Sequence, residues 1–138
     1  MKLAILVFML VLPLAAYASD EASIVEQCGD ASQVGMRDCL AKRAAESQRA
    51  LSDTEKKAAA AIAGWDEDEK FIRAGQARLA ASSKAFEHYR EAQCALSAAL
   101  GGGAVAGALE LRRLSCVTAA NEARVEHLRR MSESLPRR

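Results

Sequence analysis

The sequence predicts an all-α fold: an elongated antiparallel bundle of three helices held by two disulfides. Three observations carry this reading. Apolar and small residues recur at helical spacing through three long stretches. No run alternates apolar and polar residues with the Val, Ile, Thr and Tyr content of a strand. Four cysteines, an even number, all lie downstream of an export signal. At 138 residues the chain suits one small domain.

The first element is an address. Met1-Lys2 supplies a short positive start, Leu3 to Ala16 is an uncharged apolar run, and Ala16-Tyr17-Ala18 places small residues where a signal peptidase reads. The run is shorter than the ~20 residues that span a bilayer. Residues 1–18 therefore read as a cleaved secretory signal, and 19–138 as one helical domain in the periplasm or outside the cell, free of the membrane after cleavage. Removing residues 1–18 removes Lys2 and no acid, leaving 18 basic and 18 acidic residues. A neutral chain lacks the basic surface that holds nucleic acid.

The cysteines follow from the address. Export favours disulfides among Cys28, Cys39, Cys94 and Cys116. Four cysteines allow three pairings; Cys28–Cys39 with Cys94–Cys116 is favoured because each pair brackets one turn. No C-x-x-C occurs, and neither His88 nor His127 stands at a finger-like spacing, so no metal site is expected.

The first long helix runs from about Ser32 to Ala63, with Met36, Leu40, Ala44, Ser47, Leu51, Ala58 and Ile62 on its inner stripe. Ser32 suits an N-cap and Gly64 a stop. The second runs from about Asp66 to Leu100. Its stripe is Ile72, Leu79, Phe86, Tyr89, Leu96 and Leu100, with Gly75 and Ser82 filling it. Asp66 followed by Glu69 resembles a capping box, and the run Asp66-Glu67-Asp68-Glu69 faces the positive end of the helix dipole. Gly101-Gly102-Gly103 breaks the pattern. The third helix starts at Val105 or Leu109 and ends near Leu135, before Pro136, on Leu114, Val117, Ala120, Leu128, Met131 and Leu135. Asn121 and Arg124 fall within or beside that stripe.

Catalytic patterns are missing. There is no Gly-x-Ser-x-Gly elbow and no His-Glu-x-x-His, and Gly101–Gly103 lacks the Lys-Ser/Thr of a phosphate loop. Carboxylates are plentiful, but on charge-mixed faces without the apolar pocket a general acid needs. The chain reads as a binding protein, not an enzyme, with no cofactor. His88 and His127 read as surface residues, and Trp65 as a cover for the bundle end. Arg124, close to an apolar stripe, calls for a carboxylate or helix-end carbonyls as partner.

One set of residues points further. Cys28 is followed by Ser32-Gln33-Val34-Gly35-Met36-Arg37-Asp38 and Cys39, and Gln48 and Leu51-Ser52 come next. Leu79, Lys84-Ala85-Phe86 and Tyr89-Arg90-Glu91-Ala92-Gln93-Cys94 precede the glycine turn, and Cys116, Asn121, Arg124 and Leu128 close the series. In order and spacing this resembles the LprI-type lysozyme-inhibitor family over roughly 28–128. The departures are Gly35 for an acid, Gln48 for a common Asp, Ser83 for Gln, Phe86 for Trp, Glu91 for Asp and Asn121 for Thr. The resemblance implies an exported helical protein with paired cysteines, in which Phe86, Tyr89, Arg90 and Arg124 are scaffold. It implies lysozyme, a cell-wall glycosidase, as partner. Gly101, Gly102 and Gly103 then form the candidate projecting loop, and Asp66, Glu67, Asp68 and Glu69 the candidate acidic patch. The rival reading is a periplasmic helical interaction or structural protein of the envelope, bound to another envelope protein and without effect on lysozyme.

Overall fold

A computed structural model of the chain describes residues 21–29 and 32–138. The expected export signal, residues 1–18, lies outside the described residues. Four helices follow in order: α1 (Glu21–Glu26), α2 (Gln33–Ala63), α3 (Glu69–Ala99) and α4 (Ala106–Glu133). Among the described residues the class is all-α. Among those residues the only extended pairing is an isolated antiparallel bridge between Trp65 and Arg137. No described helix is long and apolar enough to cross a membrane.

The helix count corrects the expected three. The extra element, α1, has six residues, too few to show a period and too few to be stable alone. Packing and a covalent tie hold it. Ile24 is fully buried in a cluster with Cys28, Leu40, Ala44 and Leu114, and Cys28 is bonded to Cys39 on α2.

The second disulfide joins Cys94 on α3 to Cys116 on α4, with Cα atoms 5.5 Å apart. Both bonds thus follow the pairing favoured from the turns. Each removes entropy from the unfolded chain, worth roughly 3 kcal/mol for loops of this length.

The three long helices run up, down and up. Ile62 meets Gly75, and Gln48 meets Arg90, so α2 and α3 are antiparallel. Cys94–Cys116 and Ser82–Arg124 give the same sense to α3 and α4. It follows that α2 and α4 are parallel. Leu40 and Leu114 share the cluster at one end, while at the other the Arg138 N–H donates to the Gly64 carbonyl at 3.2 Å. α4 packs against all three other helices, most extensively against α2.

The inner face of α2 is the one its period predicts. Leu40, Ala44, Ser47, Leu51, Ala58 and Ile62 are buried. The Ser32 hydroxyl accepts from the Gly35 N–H at 3.2 Å, which makes it the N-cap. On α4, Leu114 and Leu128 are buried as expected, together with four polar or sulfur-bearing residues: Ser115, Cys116, Thr118 and Asn121. Thr118 and Ser115 donate back to the carbonyls of Leu114 and Arg112, so their hydroxyls enter the core satisfied.

On α3 the expected stripe is only half right. Ile72 is buried and Leu79 and Phe86 are half-buried, but Tyr89, Leu96 and Leu100 are 60%, 53% and 73% exposed. Past Phe86 the inner face continues through Arg90, Cys94 and Ser97. Both lines have helical spacing. The bond from Cys94 to Cys116 decides between them, because it turns that edge of α3 toward α4. The start of α3 also shifts: Asp68 is the N-cap, without a side-chain cap bond, so the capping box expected from Asp66 does not form.

Candidate functional site

Gln48 (α2), Phe86 and Arg90 (α3), and Asn121 and Arg124 (α4) converge halfway along the bundle. Arg90 Nη1 donates to Asn121 Oδ1 at 2.7 Å and to the side-chain oxygen of Gln48. Asn121 is fully buried, and its Nδ2 donates to Ser47 Oγ at 3.0 Å; Ser47 in turn donates to the Ala44 carbonyl. One chain of hydrogen bonds therefore ties the three long helices together. The Phe86 ring lies between two guanidinium groups, Arg90 at 5.9 Å and Arg124 at 5.5 Å from its centroid. Such contacts add roughly 0.5–1 kcal/mol each near a surface.

Among the described residues neither arginine has a carboxylate partner. Arg124 donates to Ser82 Oγ at 2.7 Å, and its Nε is buried without an acceptor. The carboxylate expected for Arg124 is absent because the acids of α4 face elsewhere: Glu122 pairs with Arg43, and Glu126 with Arg129 and Arg130. Arg90 and Arg124 thus sit among hydrogen-bond acceptors and a ring face. Tyr89, grouped with them from sequence, points outward and takes no part.

A different end of the rod carries the glycine turn. Gly101 is half-buried; Gly102 and Gly103 are exposed. Gly102 has φ +57°, a left-handed conformation that favours glycine, and a side chain there or at Gly103 would meet nothing within 4 Å. The turn is flanked by Leu100 and Val105, 73% and 74% exposed. In the first turn of α4 the N–H groups of Ala108 and Leu109 donate to the Val105 carbonyl at 2.9 and 3.4 Å, and those of Ala106 and Gly107 have no intrahelical acceptor by geometry. Arg112 lies beneath, its Cδ 3.4 Å from a Cβ built at Gly101, and it joins no ion pair among the described residues. Sequence reasoning did not nominate Arg112; nothing in its neighbourhood marks it before the turn is folded over it.

The acidic run occupies the opposite end. Asp66, Glu67, Asp68 and Glu69 are exposed in the α2–α3 turn, separated from the glycine turn by the whole of α3, about 45 Å. Its charge is partly spent locally. Asp68 lies 3.9 Å from Lys70 and Glu69 3.4 Å from Arg73, while Arg138 donates to the backbone carbonyls of Trp65 and Glu67. Trp65 is half-buried there and bridged to Arg137, at the bundle end as expected. His88 is exposed, whereas His127 is half-buried between α3 and α4, not a solvated face residue.

This arrangement offers donors, ring faces and an exposed tip, but no carboxylate in an apolar pocket. Glu110 and Glu126 have carboxyls held below the usual range, by hydrogen bonds from Arg113 and Arg129 respectively. A lowered pKa is the wrong direction for a general acid at neutral pH.

Residues 26–128 match the family model described as lysozyme inhibitor LprI. The chain belongs to the LprI lysozyme inhibitor family. The span matched in this LprI member holds both disulfides, the Arg90–Asn121 cluster and the glycine turn. It is an inhibitor family and not an enzymatic one, in keeping with the missing catalytic patterns. No curated protein and no solved structure matches the chain.

Proposed function

We propose that the protein is exported to an oxidising space, the periplasm or the exterior, and there binds and blocks a lysozyme-class cell-wall glycosidase. The family match over residues 26–128 is the observation that carries this reading. Two disulfides support the compartment, since such bonds persist where thiols are oxidised.

The contact is assigned to the glycine turn. Lysozyme-type enzymes work with two carboxylates in a cleft. The tip from Leu100 to Val105 stands at the end of the bundle with two exposed apolar side chains, beside the first N–H groups of α4, and the Arg112 stem packs beneath Gly101. Apolar anchors fill a cleft, and donors together with a cation meet its acids. The acidic run Asp66–Glu69 is the alternative contact for a basic enzyme, acting mainly on association rate. It is the weaker choice because Asp68 and Glu69 already face cations of their own chain.

The test is turbidity-monitored lysis of bacterial cell walls by a vertebrate-type lysozyme with the purified mature protein. Micromolar protein slows lysis under this reading. Gly103→Glu, at an open position, relieves inhibition while leaving the helix content unchanged. Undiminished lysis with the wild-type protein rejects inhibition of that enzyme.

The exposed line Tyr89, Leu96 and Leu100 on α3 favours the second reading, an envelope interaction protein without lysozyme activity. Capture from a periplasmic extract of a native partner, with no effect on lysis, supports that one instead.

A further inference from the structure

A groove of about 340 Å³ lies between α3 and α4, near the Trp65 end and far from the glycine turn. Its wall is apolar, formed by Ile62, Leu79, Leu128 and Met131 among others. The polar side chains on it are basic or neutral: Arg78, Arg124 and His127, with Ser82. No carboxylate lines it. Among the described residues neither Arg78 nor Arg124 forms an ion pair, and the Arg124 guanidinium has one hydroxyl acceptor and an unmatched Nε.

We propose that this groove binds a small amphiphile, an aliphatic chain ending in a single anionic head, of which a medium-chain carboxylate is the simplest example. The volume stands at the lower end of the range for ligand sites, about 300–1,000 Å³, which suits a short chain and not a folded partner. The apolar wall takes the tail. The head lies toward Arg78 and Arg124, which lack an acid of their own chain, and the low dielectric of the wall strengthens that attraction. An isolated cationic head would meet two like charges. A neutral chain of the same length would gain only the burial of its tail. The α2–α3 approach shapes the floor, because Gly75 lets α3 come so close that a Cβ there would stand 3.0 Å from Ile62 Cγ2.

Trp65 lines the same groove and is the single tryptophan of the chain, so its emission reports occupancy directly. The mature, disulfide-intact protein is titrated with decanoate, decyl phosphate, decanol and decyltrimethylammonium, each below its aggregation concentration. Saturable change with decanoate or decyl phosphate, at least tenfold tighter than with decanol and absent with the cation, supports the site. The tighter of the two anions names carboxylate or phosphate as the preferred head. Arg78→Glu changes an exposed side chain, keeps the helix signal and weakens the anion at least tenfold; Arg78→Lys restores most of it. Equal affinity for decanol and decanoate, a response to the cation, no saturable change at all, or anion affinity unaltered in both Arg78→Glu and Arg124→Gln overturns the proposal.

Discussion

The Arg90 guanidinium on α3 donates to the side-chain carbonyl of Asn121 on α4 at 2.7 Å, and Asn121 is fully buried while doing so. The same amide donates to Ser47 on α2, so one side chain bonds to both of its neighbours across the bundle.

Asn121→Leu removes both bonds and leaves Arg90 and Ser47 short of a partner. Each keeps its other bond, Arg90 to Gln48 and Ser47 to the Ala44 carbonyl, so the loss is that of two net hydrogen bonds, about 1–3 kcal/mol by urea denaturation. Asn121→Thr keeps a hydroxyl at the position and loses less.

Gln48→Asp supplies Arg90 with the carboxylate it lacks. The site is part-exposed, so the gain is modest, about 0.5–1 kcal/mol at neutral pH. It is lost as the new carboxyl protonates, which a comparison of thermal melts at pH 7 and pH 3 reveals. Equal stabilisation at both pH values sinks the ion-pair account.

Glu110 gives a pH signature of its own. Hydrogen bonding from Arg113 lowers its folded-state pKa below the unfolded value. The unfolded chain therefore takes up this proton first as pH falls, and the carboxylate's contribution is full above the unfolded pKa and lost through the folded one. Because the pair is substantially exposed, the effect stays below about 1 kcal/mol. Glu110→Gln flattens the acid limb of the stability profile between pH 5 and pH 2, roughly the carboxylate range.

The two disulfides differ in what they hold. Replacing Cys28 and Cys39 by Ser releases a six-residue helix that cannot persist without its anchor, so amide exchange speeds up through α1 first. Replacing Cys94 and Cys116 loosens α3 from α4 and lowers the stability of the whole bundle, by roughly 3 kcal/mol. Intact-mass measurement of the protein isolated from its natural host checks the premise, since two disulfides remove four hydrogens.

The sequence makes α2 legible because its inner stripe is nearly unbroken by competing lines; Ser47 could be placed on it even as a polar residue. In α3 two lines of helical spacing start from Phe86. Periodicity favours the one with Tyr89, Leu96 and Leu100, since those residues are the more apolar. The structure takes the one with Arg90 and Cys94, because long-range bonds to Asn121 and Cys116 outweigh the apolar area left in water. Ser115, Thr118 and Asn121 are buried without any apolar signal, the two hydroxyls satisfied by carbonyls of α4 itself and Asn121 by Ser47 of α2 and Arg90 of α3. Of the candidate site, the turn and the acidic run were readable as segments. Their placement at opposite ends follows from the helix predicted between them, whereas Arg112 emerges only beneath the folded turn.

The parallel run of α2 and α4 bears on how the chain reaches this state. Ser47 and Asn121 are 74 positions apart, whereas Cys94 and Cys116 are separated by 22. Closing a shorter segment costs less chain entropy, so the α3–α4 contact, like the α2–α3 contact of Ile62 with Gly75, closes at a lower cost than the α2–α4 contact. The parallel α2–α4 pairing is thus the costly closure of the bundle, and the Cys94–Cys116 bond shortens its effective loop by tying α4 to α3.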